Sequence, residues 1–384
     1  MEIPRRDVMK VSMFSLADVH SPYGSTARPF FLGKHLARKG VELIHICEKL
    51  PESGKDVEIV SRRDYAGRTN AEVFHLLRER CRQFAPDLIY SHQVHAAGIG
   101  LRISRSLKRP HIYDAHSSMA HELHTYTRLT LKEKICRIAS ESVALKFADI
   151  IIVPSSELKD YFVRKYFLRP DKIRIVKNGV ETDAFRPAPP DLSLRDSLGI
   201  PRDAVLILFT NPRLAAFPSN EMALRMLFRF IPDVERMISS VRFLILGGGP
   251  ELKGPSPNVI YSGYVKNLPA YLNLADICIA PYPPRAVCGG TRDKVCEYLA
   301  CGKPIVATKE AMRGFNDALP GEHFLLAVDE HDFAEKLRDC IHHPELARRI
   351  GQNARTLSED YDWSRRAEEL LEVFQEVGQA WNVH

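Results

Sequence analysis

The sequence predicts an α/β protein made of two parallel-sheet domains facing a central cleft. Three observations predict it. Short apolar, β-branched runs alternate with helical stretches along almost the whole chain, the pattern of repeated βα units. At 384 residues the chain exceeds what one hydrophobic core usually organises. The alternation breaks once, at 186–202, where Pro187, Pro189, Pro190 and Pro201 mark a linker with one helical turn at Leu192–Leu198.

The elements follow in order. Strand Val8–Leu16 leads through a loop, Ala17–Ser25, into a helix over Thr26–Lys39, and Gly40 precedes strand Val41–Ile46. A helix spans Asn70–Phe84, and Pro86 introduces strand Leu88–Tyr90. Strand His111–Tyr113 ends in Asp114-Ala115-His116. A helix over Lys132–Phe147, strand Ile150–Val153 and strand Lys172–Val176 complete the first series. The second series runs Val205–Phe209, helix 219–230, Val241–Leu246, Val259–Tyr261, helix 267–274, Ile277–Ala280 and a helix over 292–301. The tail Trp363–Trp381 is helical. In open parallel sheets ligands bind beyond the carboxyl ends of the strands, so the site is expected on loops 17–25, 91–98, 114–121, 154–156, 210–220, 247–250, 262–266 and 281–291.

The richest of these is Gly289-Gly290-Thr291, which delivers the chain into the helix ending at Gly302. Glycines at a helix N-terminus let free amides approach an anion, and the helix dipole adds about half a positive charge there. Glu297 lies further along the helix, where a carboxylate accepts hydrogen bonds from ribose hydroxyls. A diphosphate with a sugar on each side suits this arrangement. A glycine turn and a glycine cap around an ordinary sheet-packing helix would look the same.

Composition narrows the class. The hydrophobic share of 45% and charged share of 27% describe a soluble globular protein, and no apolar run nears the roughly 18 residues of a membrane span. Val8–Leu16 contains Lys10 and lacks a small-residue cleavage site, so it reads as a strand rather than a signal peptide. The eight cysteines form no CxxC pair, and Cys278, Cys296 and Cys301 sit in apolar contexts as reduced core residues, which implies a cytoplasmic location. Residues 1–190 hold 32 Lys and Arg against 22 Asp and Glu, a balance of +10, while the remainder carries −4. Part of the excess lies in Arg102–Arg109, Arg128–Arg137 and Arg164–Arg174. Such a surface attracts anionic lipid headgroups or a phosphorylated acceptor, or it is simply a solvated basic face. No nucleic-acid partner is expected.

Several motifs, in one order, resemble the GT-B glycosyltransferases, especially the large retaining family called group 1 or family 4. They are Asp149 to Ser156 (DIIIVPSS), Lys172 to Glu181 (KIRIVKNGVE) with Phe185-Arg186-Pro187, Leu244 to Pro250 (LILGGGP), Ser262-Gly263-Tyr264-Val265, Ala275-Asp276 through Pro281, and Lys294 to Pro304 (KVCEYLACGKP). The resemblance spans nearly the whole chain. It implies two Rossmann-like domains: 1–185 on the acceptor side, a linker at 186–202, and 203–362 on the nucleotide-sugar side. The helix 363–384 would cross back to the first.

The resemblance also implies roles where residues match. Glu297 matches the second glutamate of the family's Glu-x₇-Glu element, which holds the ribose; the first falls at Gly289 and is missing. Gly290 and Thr291 still offer backbone donors to the diphosphate. Arg213 resembles the phosphate-binding arginine, while the usual lysine five residues on is Pro218, leaving Lys294 or Arg292 to supply the second charge. His116 matches the cleft histidine. Gly24 and Gly248 fall where loops approach the donor by their backbone, and Tyr264 and Val265 lie where the base is read. The expected catalytic set is thus His116, Arg213 and Lys294.

No cofactor or metal is expected beyond the nucleotide-sugar donor itself. Asp360-Tyr361-Asp362 has the spacing of a metal-binding Asp-x-Asp but precedes the terminal helix, where Asp362 reads as an N-cap. His342-His343 lacks a further ligand at helical spacing. The function these residues imply is metal-independent, retaining transfer of a sugar to a glycan or lipid-linked acceptor, with an anionic membrane surface as a further partner. A nucleotide-sugar 2-epimerase shares the architecture but needs acid–base groups on both sugar faces. Gly289 and Pro218 motivate a third reading, a sugar-nucleotide binder without catalysis.

Overall fold

A computed structural model describes residues 8–18, 26–49, 58–61, 65–123, 129–210, 218–247, 254–286 and 290–382. Its contacts divide the chain into two compact units: Met1–Ala120 with Arg128–Asn178 and Trp363–His384, and His121–Thr127 with Gly179–Asp362.

The first unit contains β1 (Lys10–Asp18), α1 (Ala27–Arg38), β2 (Glu42–Lys49), β3 (Glu58–Ser61), α2 (Asn70–Phe84), β4 (Leu88–His92), α3 (Gln93–Leu107), β5 (His111–Asp114) and α4 (Met119–Glu122). It continues with α5 (Leu131–Phe147), β6 (Ile150–Val153), α6 (Ser156–Tyr166) and β7 (Ile173–Ile175). The sheet is entirely parallel in the order β3-β2-β1-β4-β5-β6-β7. The order reverses between β1 and β4, so the carboxyl ends of these two strands border the crevice that such sheets use for ligands, with the end of β5 next to β4.

In the second unit α7 (Leu192–Ser197) precedes β8 (Val205–Thr210), α8 (Pro218–Met237), β9 (Val241–Leu246), β10 (Val259–Gly263), α9 (Leu268–Leu274), β11 (Ile277–Ala280), α10 (Asp293–Ala300), β12 (Ile305–Thr308), β13 (Leu325–Ala327), α11 (Glu330–His342) and α12 (Pro344–Ser358). This sheet too is parallel, ordered β10-β9-β8-β11-β12-β13, with its reversal between β8 and β11. The last helix, α13 (Trp363–Asn382), returns to the first unit. There Trp363 stacks on Phe31 at 6.0 Å, and Leu370 and Phe374 join the core of Val11, Met13, Leu32 and Tyr90.

Local chemistry sets the helix starts. Thr69 with Glu72, and Thr130 with Glu133, form reciprocal capping boxes at α2 and α5. Ser155 caps α6 through the Leu158 amide, and Asn267 caps α9 through Ala270. Two sequence expectations are corrected. The loop expected at 91–98 is helix from Gln93 onward, because Ala96, Ala97 and Gly100 are small enough to bury against β4. A Cβ on Gly100 would stand 1.9 Å from Ser91 Oγ. The helix expected at 219–230 runs on to Met237 through Pro232, its apolar face held by Phe230, Ile231 and Val234.

Candidate active site

In the second unit the site grows from the reversal between β8 and β11. Lys294, in the first turn of α10, is buried and donates to the Thr210 carbonyl at the end of β8 and to the Tyr282 hydroxyl, each at 2.5 Å. Tyr282, just past β11, bonds onward to Asn220 Oδ1 at 2.8 Å, tying in the start of α8. Tyr298, on α10, accepts the Thr210 amide at 2.8 Å. Thr210, at the carboxyl end of β8, is thus held through both backbone groups by α10, and Lys294 ties the loop after β11 to the same point.

Arg292 caps the same arrangement. Its guanidinium lies 3.4 Å from the Tyr282 ring centroid, donates to the Ala286 carbonyl at 2.5 Å, and stands 3.8 Å from Glu310. Stacking of this kind fixes the loop after β11 against α10. The hydroxyls of Thr210 and Thr291 and the Nε of Arg292 are buried without a partner among the described residues. Buried polar atoms of this sort usually find partners, so they mark where a ligand's oxygens would be satisfied.

Glu297 is buried on α10, 8% exposed. Burial pushes its carboxyl up to about 8, Asp293 adds to the shift, and Lys294 opposes it. A carboxyl raised in this way favours its protonated form near neutral pH, and hydrogen-bond donors that solvate the carboxylate would lower it again.

The first unit carries a second cluster. Asp114, fully buried at the end of β5, takes Arg28 Nε on both oxygens at 3.0 and 2.9 Å and the Tyr90 hydroxyl on one of them. Arg28 also reaches the Lys177 carbonyl and Asn178 Oδ1, both at 3.0 Å. His92, ending β4, shares a proton with His116 across 2.9 Å between its Nδ1 and the partner's Nε2. Gln93 Nε2 lies 3.4 Å from His116 Nδ1, and Gln93 adopts φ 62°, a strained conformation of the kind that clusters at functional sites. Burial lowers His116 to about 4, with Arg28 adding and Asp114 opposing, so the imidazole is neutral near pH 7. His92 is driven well below its usual range, mainly by burial.

Ligand atoms of His92, Asp114 and His116 lie within 4.8 Å of one another, spacing that a metal ion could use. Both Asp114 oxygens, however, already face the Arg28 guanidinium, which supplies positive charge where a cation would stand. The donor set fits an ion-paired histidine support better than a metal centre.

Of the residues expected from sequence, Thr291, Arg292, Lys294 and Glu297 are brought together around α10, preceded by Gly290. Tyr264 is exposed and Val265 half-buried, beyond the β10 end at Gly263, whose carbonyl accepts the Gly247 amide at 2.7 Å. His116 sits in the other unit. Gly24, Arg213, Gly248 and Gly289 lie outside the described residues. Asp362 accepts from the Thr182 amide and hydroxyl, at 3.3 and 2.5 Å. Sequence reasoning missed Arg28, Tyr90, His92, Gln93, Thr210, Tyr282 and Tyr298. The partners of Asp114 lie 24 and 86 positions away, so no local pattern marks them.

Two parallel sheets with these strand-end sites define a GT-B glycosyltransferase. Two family models match in tandem, Glycosyltransferase Family 4 over residues 30–184 and Glycosyl transferases group 1 over 207–343, and the chain belongs to this group. It is 24% identical over 377 residues to EpsD of Bacillus subtilis, covering 92% of each chain. It is 25% identical over 320 residues to the D-inositol 3-phosphate glycosyltransferase of Saccharomonospora viridis, covering 76% of this chain and 70% of that one. Among solved structures, Anabaena HepE in complex with UDP and glucose superposes with a TM-score of 0.76 at 17% identity, over 96% of this chain and 100% of that one.

Proposed function

We propose that the protein moves a sugar from a nucleotide-diphosphate donor to a hydroxyl of a glycan or lipid-linked acceptor, without a metal and with retention, in polysaccharide or glycolipid synthesis at the cytoplasmic side. The observation that carries this reading is α10: a buried Glu297, its carboxyl pushed up by that burial, on a helix preceded by Gly290 and the unpartnered hydroxyl of Thr291. Glu297 would receive the ribose hydroxyls, and the amides before the helix would receive the diphosphate.

In the proposed step the acceptor oxygen bonds to the anomeric carbon on the face the diphosphate leaves. The bond from that carbon to the phosphate oxygen breaks, and the acceptor proton passes to the departing phosphate. Arg213, and Lys294 or Arg292, would balance the charge on the leaving group, with neutral His116 holding a sugar hydroxyl. Lys294 is already bonded to Thr210 and Tyr282, so it would act mainly through its fixed field. The Asp-x-Asp triplet supports the metal-free reading, since Asp362 is bound to Thr182.

Structures of HepE contain UDP and UDP-glucose, which makes uridine diphosphate sugars the first donors to screen. Release of free nucleoside diphosphate only when an acceptor is present supports transfer, and NMR of the product anomer reads the stereochemistry. Glu297→Ala should weaken nucleotide binding by roughly one to two decades, the worth of a charge-assisted bond. Unchanged affinity in that variant would overturn the assignment.

A further inference from the structure

We propose that helix α5 and the turn after α6 form a surface that docks on an anionic lipid bilayer. The inference rests on the proposed function only for the acceptor it would reach, a lipid-linked glycan; the docking stands on the surface itself.

Along α5, Leu131, Ile135, Ala139, Val143 and Phe147 recur every fourth residue and form one ridge. Leu131 is 74% exposed, Ile135 57%, Val143 48% and Phe147 47%, while Glu141, Ala144 and Leu145 face the core. A helix packed on one side normally presents polar residues on the other, so an outward apolar ridge asks for a cover. The charges around it are mostly positive. Lys132 and Lys146 are exposed, and Lys134 and Arg137 half-buried. The two acids of α5 are engaged elsewhere. Glu133 is held in the Thr130 capping box, and buried Glu141 accepts from Ser118, the Met119 and Ala120 amides and Tyr166. At the C-terminal end Arg105 binds the Phe147 carbonyl, and Lys172 binds those of Leu145 and Lys146, which adds positive charge beside the Phe147 ring.

Phe167 is an independent observation. It caps α6 at φ 53°, ψ 41°, a left-handed conformation that Gly or Asn holds with little strain, and it is 92% exposed. Its neighbour Tyr166 donates to Glu141, which ties this turn to α5, and the exposed Arg164 and Lys165 precede it, while Arg169 is paired with Asp171. Exposed rings beside lysine and arginine suit the headgroup region, where rings meet acyl chains and cations meet phosphates. No described helix is long and apolar enough to cross a membrane, so the contact would lie in the surface plane. A second copy is a poorer cover, because a two-fold interface would bring the same cations together.

Sedimentation with phosphatidylcholine vesicles, with and without phosphatidylglycerol, tests this. The parent should bind the anionic vesicles and release as the Debye length falls from about 10 Å at 0.1 M salt to about 3 Å at 1 M. Lys132→Glu with Lys146→Glu should lower partitioning at least about fivefold per charge, and Ile135→Ser with Val143→Ser should lower it without changing nucleotide affinity. Phe167→Asn should bind vesicles more weakly yet melt no lower than the parent, a pairing that a merely structural phenylalanine would not give. Equal binding to neutral and anionic vesicles, or undiminished binding by the Ile135/Val143 variant, would overturn the proposal. Self-association without lipid, abolished by that variant, would assign the ridge to a second copy. Loss of nucleotide binding in the parent would defeat the proposed function and leave the vesicle result standing.

Discussion

Protonation separates the two units at the scale of single residues. Glu297 is pushed up to about 8 by burial, so the folded chain keeps a proton that the unfolded chain gives up near pH 4.3. Where the native state binds more protons, stability falls as pH rises, here from about 4.3 through about 8. Glu297→Gln should flatten that slope, read as urea midpoints of the second unit at about pH 5 and about pH 9. An unchanged slope would mean the carboxyl is ionised. The first unit behaves oppositely. Burial lowers His45 and His111 to about 3 and His116 to about 4, so their contribution is present above about 6.5 and is lost as pH falls through those values. Asp114→Ala should cost the first unit roughly 3–5 kcal/mol, because it leaves the Arg28 guanidinium buried without its ion partner. Asp114→Asn, which can still accept hydrogen bonds, should cost less in the same denaturation experiment.

Elements were legible where periodicity and caps agreed. Asn70–Phe84, Ile150–Val153, Val241–Leu246 and Ile277–Ala280 have the bounds the sequence suggests, set by the Thr69 box or by unbroken β-branched runs. β3 and β13 escaped notice because edge strands of three or four residues carry too little pattern. α3 escaped because its inner face, Ala96, Ala97, Gly100, Ile103 and Ser104, holds only one large apolar residue, which is too little for a helical period yet allows close packing. The site shows the same division. Gly290, Thr291, Arg292, Lys294 and Glu297 belong to one contiguous segment and were visible, while Gly289 lies outside the described residues. Tyr282 and Thr210 meet Lys294, and Asn220 meets Tyr282, only through the sheet order, and sequence spacing does not encode that. A close approach between α10 and α12 gives the test at this scale. Gly302 holds φ 62°, and a Cβ on Gly351 would stand 2.3 Å from the Gly302 carbonyl oxygen. Gly351→Ala must push the helices apart, at a cost of about 1–3 kcal/mol as for other overpacked sites. A melting temperature equal to the parent's would show that α12 shifts freely.

The chain as a whole makes one topological commitment: its final helix serves the unit in which it began. α13 buries Trp363, Ala367, Leu370 and Phe374 in the core around Phe31, Leu36 and Tyr90, and Lys39 reaches Glu368 across the α1–α13 pair. Fully burying a large apolar side chain contributes about 1.5–3 kcal/mol, so the large side chains of this helix together rival the 5–15 kcal/mol that holds a whole domain folded. Truncation after Asp362 should therefore unfold the first unit although all of its strands remain. The second unit keeps its own sheet, and its connection to Val180 through the Tyr361 carbonyl lies before the cut. Limited proteolysis of the truncated chain should accordingly cleave within 8–178 and leave 179–362 resistant, with nucleoside diphosphate still retarding cleavage near α10. If the first unit stayed as resistant as in the full chain, α13 would be an accessory to that fold rather than part of its core. Loss of both units together would instead show that neither sheet is stable without the other, and would rule out treating them as separately folded bodies.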